Sequence, residues 1–436
     1  MPPSPQVTGN LEPAVPRRRW GIAWLLGFGI MVNYFDRANL SVALGALHSD
    51  FGISTAKFGI LTSAYIWSYM LLQMPSGLLL DRFGVKLIGR VSSFLWSVAS
   101  FAAAMAAGLR TFFVARLVLG VGEAPTFPGN AKAVGYWFPK AERTFGTAIF
   151  DGASKLGAAL GAPLLGLVLE HFGWRWCFAA SGIISVLFFA MFTVYYKNPS
   201  EDKKLTLAER EFIARGGAQP EDKARAAQGA PLGYLLRRKK VWGMSLGYAS
   251  YNYSFYLLFF WLPTYINTAL HLSRLRSDIY TGIPWLLATI AEIGIGGYLV
   301  DILIKRGWNA DRVRRTVLIG GTALGLALLG VGQTVRPVVA LFWISIAICG
   351  LSAASPIGWS LPSLLAPRES VGTLGGILNT GNQISAIVAA TLTGFILRNH
   401  TFEYAFAVAS VYLAIGVAGY MFLLGRIDPL PEPSSN

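Results

Sequence analysis

The sequence has 436 residues, of which 54% are hydrophobic and only 14% are charged. Soluble domains carry about 25% charged residues, so this chain lacks the polar surface that two or three soluble domains would need. The net charge of +15 does not indicate nucleic-acid binding, because the basic residues lie in particular connecting segments and not on one face with stacking aromatic rings. The composition therefore predicts a protein embedded in a lipid bilayer, with no nucleic-acid partner.

Apolar runs of about 20 residues, the length that a membrane-spanning helix requires, follow one another along the chain. Transmembrane strands show only weak alternation, so unbroken runs of this kind favour helices. The first run follows a polar tail and is too long for a signal peptide, so we expect it to be retained. Twelve runs are found, beginning near Trp20, Phe58, Leu87, Thr111, Thr144, Trp176, Val241, Ile279, Thr316, Val338, Val371 and Tyr404.

A polar, charged segment in the middle of the chain divides the spans into six and six. Within it, Thr206 and Glu209 match a capping box, which predicts a short helix from Glu209 to Ala214 on the membrane surface. The predicted organisation is a tail (1–19), a six-helix bundle (20–197), a central loop (198–240), a second six-helix bundle (241–425) and a tail (426–436).

The two halves resemble each other. Gly77 and Asp81 close the second span as Gly297 and Asp301 close the eighth, and basic residues follow in both cases. Two parallel six-span repeats are a transporter architecture, with the substrate site between the halves near the middle of the membrane.

Lysine and arginine predict the orientation, because cytoplasmic links carry an excess of both. The links on the N-terminal side hold Arg82, Lys86, Arg90, Lys140, Arg143, Arg237, Arg238, Lys239, Lys240, Lys305, Arg306, Arg312, Arg314 and Arg315. The opposite links hold Lys57, Arg110, Arg175, Arg274, Arg276, Arg336 and Arg398. Both termini are therefore predicted to be cytoplasmic.

Three motifs carry a family resemblance. The pattern Gly77-x-x-x-Asp81-Arg82-x-Gly84-x-Lys86 resembles the loop signature of the major facilitator superfamily. Residues 33–41 (NYFDRANLS) and 116–125 (RLVLGVGEAP) are similar to the anion:cation symporter family, which includes bacterial galactonate, glucarate and hexuronate transporters. The resemblance implies an all-α major facilitator fold with twelve transmembrane helices in two six-helix bundles. It also implies a functional monomer in the cell inner membrane, and a gating role for Gly77, Asp81, Arg82 and Lys86.

Ionisable residues deep in the spans are few: Asp36, Arg37, Arg116, Glu123, Lys132, Asp151, Lys155 and Glu292. Burying each costs several kcal/mol, so each is a functional candidate. The resemblance implies proton coupling through Asp36 and Glu123, and binding of a substrate carboxylate by Arg37. Arg116 lies on the same helix face as Glu123, and we predict that it also binds substrate. The alternative is that these four residues form an ion-pair network that only locks the helices.

Asp151, Ser154 and Lys155 form a second group in span five, where the galactonate-type pattern has an uncharged amide near Ser154. Asp151 and Lys155, four residues apart, can neutralise each other on one helix. Alternatively, Ser154 and Lys155 contact the substrate, with Lys155 as a second cation. For Glu292, a second proton site and a packing role remain open.

Polar side chains also recur at spacings that line a cavity. By resemblance, Tyr34, Tyr69, Trp359 and Asn379 are predicted substrate contacts. Tyr65, Asn252, Tyr256 and Gln383 are weaker candidates, because such residues often serve as interhelical hydrogen-bonding contacts.

Other chemistries find little support. The sequence lacks a G-x-x-x-x-G-K-[ST] phosphate loop and a metal-ligand spacing, and no cofactor is expected. We predict a proton-coupled symporter, not an enzyme, that imports a small organic anion, most consistent with a sugar acid (hexonate, hexarate or hexuronate), by alternating access. One alternative is a proton-coupled efflux antiporter of drugs or metabolites. The basic side chains deep in the spans disfavour this alternative where the exported molecule is a lipophilic cation. The other is a non-transporting membrane sensor, for which no loop is long enough to form an output domain.

Overall fold

A computed structural model describes residues 17–52, 64–219, 221, 230–270, 274–334, 336–367, 370–399 and 401–433. Within these ranges the regular secondary structure is entirely helical. The predicted start of the second span at Phe58 lies outside the described residues.

The described residues of the first half form six long helices. Gly84 separates the second from the third, because its φ of 77° and ψ of 164° break the helix that would otherwise run from Gln73 to Ala104. Pro125 divides the fourth into two segments. The helices are α1 (Arg18–Phe51), α2 (64–71 and 73–83, with a turn at Leu72), α3 (85–104), α4 (Leu109–Glu123 and Thr126–Trp137), α5 (Arg143–Phe172) and α6 (Trp174–Tyr195).

The described part of the central loop contains two short helices, α7 (Leu207–Arg215) and α8 (Leu232–Leu236). The structure begins α7 two residues before the predicted Glu209, because Thr206 is the N-cap and its hydroxyl accepts a hydrogen bond from the Glu209 N–H at 3.3 Å. The Glu209 carboxylate is fully buried and binds the start of α1, accepting hydrogen bonds from the backbone N–H groups of Arg18 and Arg19 at 3.1 Å each. The loop is thereby fixed to the first bundle.

The second half repeats the six-helix pattern with more local irregularity. Within the ranges described above, two of its helices contain π-helical segments and one contains a 3₁₀ turn. The helices are α9 (Lys239–Thr268), α10 (Arg274–Ala291, π Glu292–Leu299 and Val300–Lys305), α11 (Ala310–Leu324, 3₁₀ Gly325–Ala327 and Leu328–Val331), α12 (Pro337–Leu365), α13 (Val371–Asn399) and α14 (Phe402–Ala418 and π Gly419–Leu424).

Eight stretches in the described parts of the chain are, by length and composition, apolar enough to cross a membrane. Among the other long helices, α1 contains Asp36 and Arg37, and α4 is divided at Pro125. Within each bundle, α1 packs on α5 and α3 on α6, as α9 packs on α13 and α11 on α12. Between the bundles, α2 packs on α13 and α5 on both α10 and α12.

The ends of the helices that carry Arg19, Arg143, Lys240, Lys305 and Arg314 form one end of the molecule, here named the basic face. Contacts between the bundles cluster there. Arg143 Nη1 donates to the Ser363 carbonyl at 2.7 Å, and Arg314 Nε donates to the Thr144 hydroxyl at 3.2 Å. The basic face is closed in this structure.

Candidate functional site

A central cavity lies between the two bundles, with room inside for about 20 Å³ of solvent. Small-molecule sites in proteins occupy roughly 300–1,000 Å³, so in this closed conformation the cavity is too small to hold a small organic molecule. Its walls come from both halves: Tyr34, Arg37, Tyr69, Phe127, Asp151, Ser154, Lys155, Tyr248, Tyr251, Asn252, Phe255, Tyr256, Trp359, Asn379 and Gln383.

Arg37 lies between the cavity and a buried carboxylate. Its Nε is 3.5 Å from Glu123 Oε2, and its Nη1 donates a hydrogen bond to the Tyr256 hydroxyl of the other bundle at 3.1 Å. The guanidinium carbon is 4.8 Å from the ring centre of Tyr34 and 5.0 Å from that of Tyr69. Its Nη2 is buried without a hydrogen-bond partner among the described residues. Arg37 therefore has an unused donor beside the cavity.

Glu123 is completely buried at the end of the first segment of α4. Its Oε2 accepts a hydrogen bond from the Tyr65 hydroxyl at 2.5 Å, whereas its Oε1 lacks a partner in the described part of the chain. Tyr65, which does not line the cavity, thus contacts the carboxylate that Arg37 also contacts. This carboxyl group has a free oxygen that can hold a proton.

Asp36 occupies a different environment from Glu123. Its carboxylate accepts hydrogen bonds from the hydroxyls of Ser100 at 2.8 Å, Ser181 at 2.6 Å and Ser185 at 3.3 Å. Arg116 Nη1 donates to the Asp36 main-chain carbonyl at 3.3 Å, so the two residues are joined through the backbone. Arg116 is buried and is not one of the cavity-lining residues, unlike the other predicted substrate contacts. The four residues thus form one ion pair, between Arg37 and Glu123, and not the single ion-pair network that the alternative proposed.

Lys155 contacts two carboxylates. Its Nζ is 3.1 Å from Asp151 Oδ2 on the same helix and 2.9 Å from Glu292 Oε2 on α10. The Ser355 hydroxyl of α12 donates to Asp151 Oδ2 and also hydrogen-bonds the Tyr248 hydroxyl of α9 at 2.7 Å. Charged and polar groups from both bundles therefore meet here.

The remaining predicted contacts form the polar wall of the cavity. Asn379 Nδ2 donates to Gln73 Oε1 at 2.5 Å and to the Tyr69 hydroxyl at 3.3 Å. Trp359 stacks on Phe127 with ring centres 4.9 Å apart. Ser154, Asn252 and Gln383 also line the cavity.

Sequence reasoning missed four aromatic lining residues: Phe127, Tyr248, Tyr251 and Phe255. The last three lie on α9 near Asn252 and Tyr256, which the sequence predicts as weaker substrate contacts. Tyr248, Asn252 and Tyr256 are four positions apart in turn, which places them on one helix face and could have identified this wall.

The predicted gating motif lies at the basic face. Asp81 accepts hydrogen bonds from the N–H groups of Gly372 at 3.0 Å and Thr373 at 2.8 Å, and Lys132 Nζ donates at 2.6 Å to Oδ1, the oxygen that also accepts from Gly372. A side chain on Gly77 would meet the Gly372 carbonyl at 2.4 Å, so only glycine allows α2 and α13 to approach this closely. Lys86 pairs with Glu201 of the central loop, and Arg82 lies over the ring of Phe83.

A second set of contacts at the basic face centres on Glu142, between α4 and α5. Its carboxylate accepts hydrogen bonds from Arg19 Nε at 2.7 Å and from Lys305 Nζ of the other bundle at 2.7 Å. Burial alone would raise the pKa of Glu142, but these two cations more than offset burial and hold the pKa below its usual value. Glu142 is therefore an ionised link between the bundles at neutral pH.

Two helical bundles around a central cavity lined with buried charges define a secondary transporter fold. The chain belongs to the major facilitator superfamily, whose family model matches residues 26–308 and 306–436. This membership confirms the predicted fold class and the prediction of a membrane transporter that is not an enzyme.

Comparisons with individual proteins agree with this family assignment. The chain is 38% identical over 411 residues to the uncharacterized transporter YybO of Bacillus subtilis, covering 94% of both chains. It is 30% identical over 417 residues to the D-galactonate transporter of Escherichia coli O6:H1, covering 94% of this chain and 96% of that one. The solved structure of the proton:xylose symporter XylE bound to 6-bromo-6-deoxy-D-glucose superposes with a TM-score of 0.76 at 14% identity, covering 94% and 97% of the two chains. The last similarity concerns the fold.

Proposed function

We propose that this protein is a proton-coupled symporter that imports a sugar acid by alternating access. The observation that carries the proposal is the position of Arg37, which contacts the buried Glu123 on one side and borders the central cavity on the other. Membership in the superfamily and similarity to a D-galactonate transporter support the substrate class.

The coupling follows from the shared guanidinium. While Glu123 is ionised, it holds Arg37 by charge attraction. A proton on Glu123 removes that charge and leaves Arg37 able to pair with a substrate carboxylate, for which a planar guanidinium provides two parallel donors. Proton and anion therefore favour each other's binding, which is the requirement for symport. Asp36 is the partner carboxyl of Glu123 in this scheme.

The other predicted substrate contacts complete the site. Tyr34, Tyr69, Trp359 and Asn379 present rings and amide groups suited to a polyhydroxylated chain, and Ser154 adds a hydroxyl. Arg116 acts indirectly, through the Asp36 backbone. Gly77, Asp81, Arg82 and Lys86 control closure at the basic face.

We further propose a functional monomer in the cytoplasmic membrane, with both termini in the cytoplasm. The concentration of lysine and arginine at the basic face supports this orientation. The two bundles comprise residues 20–197 and 241–425. In this orientation the basic face points to the cytoplasm, so the structure is closed on its cytoplasmic side.

The test is uptake of a panel of labelled sugar acids, including D-galactonate, into proteoliposomes under an imposed proton gradient. We expect concentrative uptake that a protonophore abolishes. Glu123→Gln imitates the protonated carboxyl, so it should lose gradient-driven accumulation and keep counterflow exchange. Wild-type accumulation by Glu123→Gln would contradict coupling through this residue, and uptake indifferent to the protonophore would contradict proton symport.

A further inference from the structure

Asp151, Lys155 and Glu292 form a buried charge cluster that joins the two bundles. Asp151 and Lys155 belong to α5 of the first bundle, and Glu292 belongs to α10 of the second. The Lys155 ammonium contacts both carboxylates, and all three side chains are at most 3% exposed. The cluster does not contact Arg37 or Glu123 through any hydrogen bond or ion pair of the described residues.

The charges of this cluster do not balance. Two ionised carboxylates beside one ammonium leave a net negative charge in a site closed to water, and an uncompensated buried charge costs several kcal/mol. One proton on the carboxyl pair removes the imbalance. Two structural features support this count: Glu292 Oε1 has no hydrogen-bond partner among the described residues, and the Asp151 and Glu292 carboxyl groups contact the same ammonium and are therefore neighbours.

The surroundings of the cluster supply hydroxyl groups and aromatic rings. Lys155 Nζ is 5.9 Å from the ring centre of Tyr251 and 5.5 Å from that of Phe255. The residues of other helices that line the cavity beside Asp151 and Lys155, or hydrogen-bond to Asp151, include Tyr34 on α1, Tyr248, Tyr251 and Phe255 on α9, and Ser355 on α12. Tyrosine and serine hydroxyls are neutral at physiological pH, so they do not replace the missing positive charge.

The position of the cluster gives it a route to water. Asp151 and Lys155 line the central cavity, so an open cavity exposes them to solvent. Glu292 begins a π-helical segment, Glu292–Leu299, and such segments are frequent at functional sites because they displace a side chain from the regular helix path. A cluster that only held the bundles together would have no need of a surplus carboxylate beside the cavity.

We propose that Asp151 and Glu292 together bind one proton, with Lys155 as their fixed counter-charge, and form a second proton site separate from Glu123. The proton passes from water to one of the two carboxylates and returns to water, with no other bond formed or broken. Its use in transport rests on the proposed symport, whereas proton binding itself does not.

Infrared difference spectroscopy of the purified protein in lipid, recorded between acidic and alkaline pH without substrate, tests proton binding directly. The Asp36→Asn/Glu123→Gln double variant removes the two carboxyls already assigned to coupling. We expect its spectrum to retain a titrating carbonyl band of a protonated carboxylic acid, and we expect added Glu292→Gln to remove that band. Glu211→Gln, on the exposed side of α7, is the matched control and should leave the band unchanged.

A band that survives Glu292→Gln in a protein that remains monodisperse would overturn the proposal, as would the absence of any such band from the double variant. If Glu292→Gln does not fold, Asp151→Asn provides the same test, because it leaves Lys155 and Glu292 as a neutral pair. Where the sugar-acid panel gives uptake, the reversal potential should show one proton fewer per substrate in Glu292→Gln. If no sugar acid is transported, the infrared result still decides whether the cluster binds a proton. Failure of the proposed symport and failure of the second proton site can therefore be distinguished.

Discussion

Asp81 and Asp301 occupy equivalent positions in the two halves, and each carboxylate accepts backbone hydrogen bonds from the first turn of a helix in the opposite bundle. Asp81 binds the N–H groups of Gly372 and Thr373 at the start of α13, and Asp301 Oδ2 binds the Phe145 N–H at the start of α5 at 3.0 Å. A carboxylate at a helix N-terminus is favoured by the unpaired N–H groups and the helix dipole. The repeated Gly-x-x-x-Asp motif thus places one aspartate in each bundle, and each aspartate binds the opposite bundle at the basic face.

Asp81→Asn should open the basic face more often. Hydrogen bonds to a charged group contribute about 1.5–3 kcal/mol each, and the amide removes the charge at this contact. The readout is thiol labelling of Ser363→Cys, a buried position at the same face, with Cys177 and Cys349 replaced by alanine. We expect the labelling rate to rise about tenfold, because about 1.4 kcal/mol corresponds to that factor.

Asp50→Asn is the control for this measurement, because Asp50 pairs with Arg175 at the opposite end of the molecule. It should leave the labelling rate of Ser363→Cys unchanged. An unchanged rate in Asp81→Asn as well would mean that Asp81 does not hold the closed state.

Glu142→Gln should destabilise the protein in a pH-dependent way. The folded-state pKa of Glu142 lies below its usual value of 4.5, so ionisation stabilises the fold above that pH and the contribution disappears as pH falls through the folded-state pKa. Thermal unfolding in detergent at pH 7 should show a loss of about 1.5–3 kcal/mol, the range for a hydrogen bond to a charged group. The difference from wild type should narrow below pH 4.5.

Glu211→Gln is the matched control, because Glu211 pairs with Arg215 on α7 in an exposed contact at 2.8 Å. Exposed pairs contribute about 0–1 kcal/mol, so this variant should unfold close to wild type. A Glu142→Gln protein that is equally unaffected at pH 7 would refute the role of the link to Lys305.

The proposed orientation predicts which exposed positions a membrane-impermeant thiol reagent reaches in intact cells. In a background without Cys177 and Cys349, Arg175→Cys should be labelled from outside, and Arg215→Cys should react only after the cells are permeabilised. Both side chains are well exposed, at 52% and 81%, so accessibility within the protein does not distinguish them. The reverse pattern would invert the topology.

The sequence predicts the fold well because the length of a single apolar run is enough to indicate a membrane-spanning helix. The structure begins α1 at Arg18, where the sequence predicts Trp20, and α13 at Val371, as predicted. It begins α11 at Ala310 although the apolar run starts near Thr316, because the first turns of this helix are polar. The sequence therefore predicts the apolar interior of a helix more accurately than an end of the helix that carries charged residues.

Contacts between distant segments account for most of what the sequence could not predict in the site. The pairing of Asp151 with Lys155 follows from their spacing on one helix, but the contact of Lys155 with Glu292 depends on how α5 packs against α10. Similarly, Ser181 resembles an ordinary small residue in an apolar helix until the fold brings it to Asp36. Helix spacing describes one face of one helix, and the cavity is built from several.

Arg37→Lys tests whether Arg37 is the anchor for the substrate carboxylate. The rival anchor, Lys155, already contacts Asp151 and Glu292, whereas Arg37 has an unpaired Nη2 beside the cavity. A lysine retains the charge but lacks the planar pair of donors that matches a carboxylate. Losing one partner of a desolvated, hydrogen-bonded charge pair costs about 2–5 kcal/mol, or about thirtyfold to several thousandfold in affinity.

Calorimetry on purified protein, with the sugar acid that the uptake panel identifies, separates binding from coupling. Arg37→Lys should weaken affinity within that range, and Arg37→Ala should abolish detectable binding. Lys155→Gln is the decisive comparison, because it removes the rival cation from the same cavity and should change affinity by only a few-fold. Near-normal affinity in folded Arg37→Lys together with lost binding in Lys155→Gln would mean that Lys155, and not Arg37, binds the substrate carboxylate. Arg37 would then serve mainly to neutralise Glu123.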